Sequence, residues 1–255
     1  MPGPAWIVVP TYNEADNVEP LTAGVRAAVP EARILVVDDG SPDGTGAIAA
    51  AIAARDGAVE VLHRPRKAGL GLAYVSGFAR ALAAGAGYVV EMDADGSHDP
   101  RDLPRLLSRA RASADLVLGS RYVAGGGVED WDLLRRAISR GGCRYARTVL
   151  GVGIRDLTGG FKCFRAATLR AIEFETVRSQ GYAFQVELTY RALALGLRVE
   201  EVPITFRERR AGESKMSARI ALEAMWLVPA LRLARRRDGL PEAPGSGEPG
   251  TLPIH

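Results

Sequence analysis

The amino-acid sequence predicts an α/β fold in which a mainly parallel sheet is flanked by helices. Short apolar, β-rich segments alternate with alanine-rich helical segments four times in the first half of the chain, and this alternation is typical of a doubly wound parallel sheet. Strongly polar residues follow most of the apolar segments directly. Ligands of such sheets bind beyond the carboxyl ends of the strands, so we expect the functional site there.

Five apolar segments of the first half predict buried strands that end in turn residues. They are residues 6–10, 34–37, 59–63, 88–92 and 116–118. Alanine-rich segments between them predict helices, with Asp and Pro near several of the starts. These helices are residues 17–28, 44–55, 72–84 and 102–111.

The second half of the sequence is less regular. A glycine-rich loop at 125–127 precedes a predicted helix at 133–150, the segment 156–165, a helix at 184–195 and a strand at 199–206. A basic loop at 207–215 then leads to a last helix, and the residues after it are rich in Pro, Gly and Glu, which is typical of disorder. We therefore expect one catalytic domain over residues 1–216, an amphipathic helix over 217–237 and a disordered tail over 238–255.

Composition and charge exclude several classes of protein. With 47% hydrophobic and 25% charged residues, the chain has a globular composition, and its net charge of +3 is too small for a protein that neutralises long nucleic acids. Cys143 and Cys163 provide neither a disulfide framework nor a CxxC pair. No signal peptide and no apolar stretch of spanning length is evident. We expect a cytoplasmic protein.

Four predicted strands end in polar residues that can meet in one crevice. The sequences are PTYNE from Pro10, DDGS from Asp38, DAD from Asp93 and GSRY from Gly119. Two carboxylates separated by one residue, as in Asp93 and Asp95, can serve one Mg²⁺ or Mn²⁺ ion that also binds diphosphate oxygens. An isolated DxD turn is as often a solvated loop.

Three acidic residues at the first two strand ends also admit two interpretations. Asp38 and Asp39 are adjacent carboxylates at a strand end, and their mutual repulsion is unfavourable unless a partner offsets it. This favours contact of at least one of them with a base, ribose hydroxyls or a metal. Glu14 indicates the same site, but it could instead stabilise the positive end of the next helix.

Basic residues are spread over several loops. Arg64, Arg66 and Lys67 precede a glycine loop that lacks the GxGxxG fingerprint, and a solvated turn is as good an interpretation as nucleotide contact. Other basic residues indicate more than one phosphate near the crevice, because arginine forks match phosphate oxygens. These are Arg121, Arg135, Arg136, Arg207, Arg209, Arg210 and Lys215. A structural role is favoured for His98.

Taken together, these motifs resemble the polyprenol (dolichol) phosphate mannose synthases, inverting enzymes of glycosyltransferase family 2 with the GT-A fold. The resemblance extends from about Trp6 to Lys215. The motifs that carry it are VVPTYNEADN, VVDDGSPDGT, KAGLGLAY, EMDADGSHDP, GSRY, DLTGGFKCF, GYAFQVEL and ITFRERRAGESKMS. It implies a GT-A type, Rossmann-like sheet and transfer of mannose from GDP-mannose to the phosphate of a long isoprenoid lipid.

The resemblance also implies roles for individual residues. The nucleotide-sugar site would comprise Pro10, Tyr12, Glu14, Val37, Asp38, Asp39, Lys67, Asp93, Ala94, Asp95, Arg209 and Lys215. The acceptor phosphate would be bound by Arg121, Arg135 and Ser139. The groups acting most directly in catalysis would be Asp95, Arg121 and Arg209.

The implied metal site includes a departure from the family. Mg²⁺ or Mn²⁺ would be held by Asp93, Asp95 and Ser97. Many relatives carry Gln at the position of Ser97. A water molecule could then replace the missing amide. A phosphate monoester is already anionic at neutral pH, so its attack on the anomeric carbon needs no general base, and positioning and charge neutralisation carry the catalysis.

The lipid acceptor raises the question of membrane contact. Residues 217–237 mix Trp and Leu with arginines, which suits the surface of an anionic membrane, and the alternative is a helix packed on its own domain. We expect peripheral association with the cytoplasmic face, where a membrane-protein partner is possible. The rival functions are a polyprenyl phosphate glucose synthase that uses UDP-glucose and a nucleotide sensor without turnover.

Overall fold

The computed structural model describes residues 3–207, 226 and 228–233 of the 255-residue chain. The strands are β1 (Ala5–Thr11), β2 (Arg33–Asp38), β3 (Val59–His63), β4 (Tyr88–Glu91), β5 (Leu116–Ser120), β6 (Gly127–Val128), β7 (Lys162–Arg165), β8 (Val199–Pro203) and β9 (Thr205–Phe206). The helices are α1 (Ala15–Ala28), α2 (Thr45–Arg55), α3 (Leu70–Ala83), α4 (Leu103–Ala112), α5 (Leu133–Leu150), α6 (Ala166–Ala171) and α7 (Gly181–Ala194). The predicted mainly parallel α/β architecture is confirmed.

Seven strands form the central sheet in the order β3-β2-β1-β4-β7-β5-β8, and β6 pairs separately with β9. All pairings in the central sheet are parallel except those of β7, which lies antiparallel between β4 and β5. The strand order reverses between β1 and β4, so the carboxyl ends of these two strands border an open crevice.

Two details of the second half differ from the expectation. The strand expected over 199–206 is divided at Ile204 into β8 and β9, and the glycine-rich loop at 125–127 ends in β6, which pairs with β9. The segment 156–165 supplies β7, a strand of four residues that the sequence did not reveal. A short strand that begins with a buried lysine lacks both an alternating and a continuously apolar pattern.

Both faces of the sheet are covered, as parallel sheets require. Trp6 and Val8 of β1 pack in one apolar layer with α3 and α7, whereas Ile7 and Val9 pack in the other with α1, α2 and α4. Helix α3 approaches β1 closely at Gly77, where an added Cβ would lie 2.4 Å from Val8 Cγ1. This close packing fixes the amino end of α3 at the crevice.

Part of the predicted last helix is described. Residues 228–233 are helical, Val228 is buried and Leu231 packs against the same apolar layer as α3. Arg232 Nη1 donates to Val149 O of α5 at 2.6 Å. The proposed domain boundary at 216/217, the remainder of the 217–237 helix and the 238–255 tail lie outside the described residues. None of the helices in the described part of the chain is both long and apolar enough to cross a bilayer.

Candidate active site

A cavity of about 430 Å³ opens at the carboxyl ends of the central strands. We call it the central cavity. Ten of the residues expected in the functional site line it: Pro10, Tyr12, Glu14, Asp39, Lys67, Asp93, Ala94, Asp95, Arg121 and Arg135. The structure therefore brings the carboxylate pair of one loop and two arginines from other elements into a single enclosure.

The β1 and β2 end of the central cavity combines an aromatic ring with charged groups. Lys67 Nζ lies 3.9 Å from the centroid of the Tyr12 ring, in a cation–π contact. The Asp39 carboxylate forms an ion pair with Arg64 and accepts a hydrogen bond from the backbone N–H of Ala68 at 3.2 Å. Asp39 thereby fixes the loop that carries Lys67, and an ordered platform results.

Two neighbours of Asp39 that were expected in the nucleotide-sugar site, Val37 and Asp38, do not line the cavity. Val37 is fully buried in the apolar layer shared with Val8, because its side chain points into the sheet packing. The Asp38 carboxylate accepts hydrogen bonds from the hydroxyl and backbone N–H of Ser41, and it lies 3.9 Å from His63 Nδ1. Asp38 thus holds the turn after β2, on the side of the strand away from the cavity.

The Asp93 to Asp95 loop follows β4 at the centre of the cavity. Asp93 Oδ1 accepts from the Tyr74 hydroxyl at 3.0 Å, and burial together with Asp93 raises the pKa of Tyr74 well above its ordinary value. His98 Nδ1 accepts from the backbone N–H of Asp93 at 3.1 Å, and the ring stacks on Phe161. Burial lowers the pKa of His98, so its imidazole is neutral. His98 thus holds the backbone of the Asp93 to Asp95 loop against Phe161, which agrees with the structural role expected for it.

Ser97 lies just behind the carboxylates. Its side chain is 1% exposed, and its Oγ makes no hydrogen bond with any described residue. Its backbone N–H donates to Asp95 Oδ1 at 3.1 Å. An unsatisfied buried hydroxyl next to two carboxylates is consistent with a hard cation that keeps its own water molecules. Within the described ranges no group of three His, Cys, Asp or Glu side chains is placed to hold a metal.

Arg121 lies at the β5 end of the central cavity in a buried ion pair. Its Nε and Nη2 donate to Asp156 Oδ2 and Oδ1 at 2.7 and 2.6 Å, and Nη2 also donates to Thr158 Oγ1 at 2.9 Å. Burial alone would lower the pKa of Arg121, but the Asp156 carboxylate outweighs it and raises this pKa. The guanidinium is therefore a permanent, fixed positive charge.

A second arginine adjoins the first through an aromatic ring. The Arg135 guanidinium carbon lies 4.4 Å from the Trp131 ring centroid, and that of Arg121 lies 5.7 Å from it. Ser139, expected at the acceptor phosphate, does not line the cavity; its Oγ accepts from the Tyr122 hydroxyl at 2.7 Å. Ser139 therefore supports the wall beside the two arginines.

Several cavity residues were not singled out from the sequence. They include Trp131, Thr158, Gly159, Gly160, Gln180, Gly181, Tyr182, Gln185 and Phe206. Most belong to the motifs DLTGGFKCF and GYAFQVEL, whose order along the chain was the available signal. Arg209 and Lys215 lie outside the described residues.

The sequence has close similarity to proteins of named activity. A family model described as glycosyl transferase family 2 matches residues 6–172. The chain is 53% identical over 234 residues to an undecaprenyl-phosphate mannosyltransferase of Micrococcus luteus, covering 91% of this chain and 96% of the relative. It is 49% identical over 233 residues to a polyprenol monophosphomannose synthase of Mycolicibacterium smegmatis, covering 91% and 88%.

Solved structures share the fold at lower identity. A glucosyl-3-phosphoglycerate synthase from Mycobacterium tuberculosis, solved with Mn²⁺, UDP-glucose and phosphoglyceric acid, superposes with a TM-score of 0.67 at 19% identity, covering 94% of this chain and 81% of that one. Another mycobacterial protein superposes with a TM-score of 0.67 at 21% identity, covering 94% and 76%. These neighbours agree with the expected GT-A type architecture.

Proposed function

The chain belongs to glycosyl transferase family 2, and on that basis we propose that it transfers mannose from GDP-mannose to the phosphate of a polyprenyl lipid, inverting the anomeric carbon and releasing GDP. Relatives at 53% and 49% identity carry polyprenyl phosphate mannosyltransferase names. The observation that carries the proposal is the pairing, in one cavity, of the Asp93 to Asp95 loop with the two fixed arginines Arg121 and Arg135.

The donor is assigned to the β1, β2 and β4 side of the central cavity. Tyr12 and Lys67 offer a ring and a charge to the nucleoside end, and Asp39 and Glu14 offer acceptors for base or ribose groups. Pro10 and Ala94 complete this part of the lining. Arg209 and Lys215, which lie outside the described residues, are proposed to bind the diphosphate.

A divalent cation fits the same loop. Asp93 and Asp95 would hold Mg²⁺ or Mn²⁺, with Ser97 reaching the ion through a water molecule. When bound, such an ion neutralises charge on the departing diphosphate. His98 and Tyr74 keep the loop in place by their bonds to Asp93.

The acceptor is assigned to the arginine end. A lipid phosphate is anionic at neutral pH, so the enzyme must position and partly neutralise it without removing a proton. Arg121, fixed by Asp156, and Arg135, stacked on Trp131, provide two positive charges for this purpose. The inverting attack would place the phosphate oxygen on the opposite side of the anomeric carbon from the leaving GDP.

Helix α5 supports a position on a membrane surface. The helix that contributes Arg135 to the cavity exposes Leu133, Leu134 and Ile138 by 82%, 71% and 49%, whereas Cys143 and Ala146 pack inward. Exposed arginines accompany this apolar stripe at 140 and 144. We call the stripe formed by Leu133, Leu134 and Ile138 the α5 outer face. An apolar stripe flanked by arginines suits an anionic bilayer, the source of the acceptor.

The described part of the last helix extends this proposal. Its inner residues Val228 and Leu231 pack on the domain, but Trp226 and Leu233 are 77% and 60% exposed. Packing on the domain and contact with a membrane are thus compatible. We propose peripheral association with the cytoplasmic face, where the lipid-linked mannose is made for glycolipid synthesis and protein glycosylation.

The direct test is a transfer assay with the purified full chain. The protein is mixed with radiolabelled GDP-mannose, a polyprenyl phosphate and Mg²⁺ or Mn²⁺, in parallel with UDP-glucose, and label in the organic phase is counted. Label from GDP-mannose that requires the metal and is lost in Asp95→Ala supports the proposal. Label from UDP-glucose alone would replace the donor assignment, and nucleotide binding without any lipid product would favour a sensor.

A further inference from the structure

Gln185 is a polar residue of the central cavity with no role in the chemistry described above. It lies on α7, is 3% exposed and lines the cavity. Its side-chain Oε1 accepts a hydrogen bond from Lys162 Nζ at 2.6 Å, and its backbone oxygen accepts a second one from the same ammonium at 2.6 Å. Lys162 itself is completely buried. The lysine therefore clamps Gln185 at two points.

This clamp determines which way the amide faces. An ammonium group can only donate hydrogen bonds, so the amide atom facing Lys162 must be the oxygen and the NH₂ group must face away from it. The NH₂ group lies beside Gly160: a Cβ built on that glycine would be 3.5 Å from Gln185 Nε2 and 3.6 Å from Asp93 Oδ2. One N–H of this group hydrogen-bonds to the Glu91 carboxyl, which acts to lower the pKa of Glu91. An amide NH₂ carries two donor hydrogens, so the second N–H is the one offered to a ligand in the cavity.

The space over Gly160 thus has a hydrogen-bond donor, Gln185 Nε2, on one side and an acceptor, the Asp93 carboxylate, on the other. A hydroxyl fits this arrangement because it can accept from the Gln185 amide while it donates to the Asp93 carboxylate. A phosphate oxygen fits poorly, since it has no proton to donate and would be repelled by Asp93. The absence of a side chain at Gly160 leaves room for the ligand to approach.

The position of this space indicates which hydroxyl is bound. Asp93 follows β4 and Gly160 precedes β7, and these strands lie between β1, at the nucleoside end, and β5, which carries Arg121. A hydroxyl here lies between the nucleoside and the acceptor phosphate. The transferred sugar is the part of the donor that must lie between these two groups during the reaction.

We infer that Gln185 recognises the transferred hexose, donating a hydrogen bond from Nε2 to one of its hydroxyl groups, and that Lys162 is the positioning residue that aims this amide. The inference rests on the proposed mannosyl transfer and adds to it the residue that reads the sugar.

The experiment compares GDP-mannose with its 2-, 3-, 4- and 6-deoxy derivatives as donors for wild type and Gln185→Leu. For GDP-mannose, kcat/KM is expected to fall about tenfold in the variant, the effect of one lost hydrogen bond. For one deoxy donor, kcat/KM is expected to be the same in both proteins, because the hydroxyl that Gln185 binds is already missing. Lys162→Met is expected to reduce the ratio of kcat/KM for GDP-mannose to kcat/KM for this deoxy donor. A purely structural role of Lys162 would lower both values equally and leave this ratio unchanged.

Two further variants keep the test decisive. Gln185→Glu retains an oxygen for Lys162 and replaces the donating NH₂ with a second oxygen, whose charge lies near Glu91 and Asp93 and should lower kcat/KM for every donor. The difference in kcat/KM between GDP-mannose and the deoxy donor should still disappear, even if Gln185→Leu folds poorly. Gln180→Leu is the matched control: this glutamine lines the same cavity, but its Oε1 accepts from the Gly71 N–H at 3.2 Å. Its effect should be equal for all donors.

The remaining outcomes overturn the inference. If the ratio of kcat/KM for GDP-mannose to that for each of the four deoxy donors is the same in wild type and in both Gln185 variants, contact with the hexose is excluded. GDP-mannose with 2′- or 3′-deoxyribose is tested in the same way, and a change of this ratio for these donors alone would assign the amide to the nucleoside. If the wild type transfers no mannose, the proposed function fails separately. Calorimetric dissociation constants for the same donors, compared between wild type and Gln185→Leu, then decide the assignment of Gln185.

Discussion

Arg121 and Asp156 form a buried, two-point ion pair in which the Nε and Nη2 groups of the arginine face the two carboxylate oxygens. Their side chains are 4% and 0% exposed. Asp156 also accepts a hydrogen bond from the Arg121 backbone N–H at 2.9 Å. Burial would raise the pKa of the Asp156 carboxyl, but Arg121 holds this pKa below its ordinary value. An arginine held in this way cannot turn towards a ligand, so a phosphate must come to the edge that remains in the cavity.

The first prediction follows from this pair. Asp156→Asn removes the countercharge of a buried arginine, and breaking such pairs costs about 3–5 kcal/mol in the free energy of unfolding. We expect a loss of that size in urea denaturation. We also expect kcat/KM for polyprenyl phosphate to fall by about a hundredfold, because Arg121 loses its fixed orientation.

An exposed pair supplies the control. Glu31 accepts from Arg111 at 3.1 Å, with side chains 57% and 47% exposed. Because surface pairs are screened by solvent, Glu31→Gln should change the free energy of unfolding by less than about 1 kcal/mol and leave transfer intact. An Asp156→Asn protein as stable and active as this control would contradict the role assigned to Asp156.

The second prediction concerns Ser97, whose buried Oγ has no hydrogen-bond partner among the described residues. Ser97→Ala removes an unsatisfied buried group, so the metal-free protein should unfold at the same or a higher urea concentration. The free energy of unfolding should rise by about 1 kcal/mol at most. If the hydroxyl supports a metal-bound water, the same change should raise the Mg²⁺ or Mn²⁺ concentration for half-maximal activity by about tenfold.

The opposite signs of these two effects make the test specific. Ser76→Ala is the comparison, because the Ser76 hydroxyl donates to Leu72 O in α3 and Ser76 does not line the central cavity. It should leave the metal requirement unchanged. Equal metal requirements for wild type and Ser97→Ala would show that Asp93 and Asp95 act without Ser97.

The sequence was most informative where a local rule governs the structure. Alternation of apolar and helical segments predicts the parallel sheet. The rule that ligands bind at strand ends predicts that Tyr12, Asp39 and Asp95 lie together, and all three line the central cavity. Asp38 shows the limit of that rule. It is adjacent to Asp39, but alternation along β2 turns it to the opposite face, where Ser41 binds it.

Other site residues depend on contacts that no local pattern reveals. Asp156 and Lys162 act through residues far away in the sequence, Arg121 and Gln185, and β7 lies between two strands that precede it by many residues. A buried lysine in a strand of four residues contradicts the usual apolar signal. Such features are decided by tertiary packing, so the motifs DLTGGFKCF and GYAFQVEL do not by themselves predict these contacts.

The third prediction compares two residues that lie opposite each other in the β4–β7 register, Glu91 and Lys162. Lys162→Met should destabilise the fold by about 1–3 kcal/mol for each group left unsatisfied, because Gln185 Oε1 and the Gln185 backbone oxygen both lose their donor. Glu91→Gln should cost much less, because it removes a carboxyl whose charged form burial disfavours and keeps an oxygen that can accept from Gln185. Urea denaturation of both variants provides the measurement.

Burial supports this asymmetry. It raises the pKa of Glu91 to about 8, partly against the attraction of Lys162, so neutral Gln resembles the form that burial favours. A Glu91→Gln variant as unstable as Lys162→Met would instead show that the carboxylate charge itself is essential to the packing between β4 and β7.

The fourth prediction uses the two cysteines as reporters. Burial raises the pKa of Cys143, and it raises the pKa of Cys163 to about 12. Because the thiolate is the reactive form, neither should react with N-ethylmaleimide at pH 8 in the folded protein, and both should react in urea. Mass spectrometry counts the modified thiols. Rapid modification of both in the native protein would contradict the burial, whereas selective modification of Cys143 would show that α5 lifts from the domain.

The last prediction tests the α5 outer face, formed by Leu133, Leu134 and Ile138. The double variant Leu134→Ser/Ile138→Ser should sediment less with anionic polyprenyl phosphate vesicles and should lose activity on vesicles, because it removes apolar side chains that are exposed on the helix bearing Arg135. It should keep its unfolding midpoint and its GDP-mannose affinity, since these side chains contribute little to the core. Leu195→Ser is the matched control, as Leu195 is 44% exposed at the end of α7. Vesicle binding reduced equally by both changes, or by neither, would remove α5 from the membrane contact and leave the last helix as its remaining candidate.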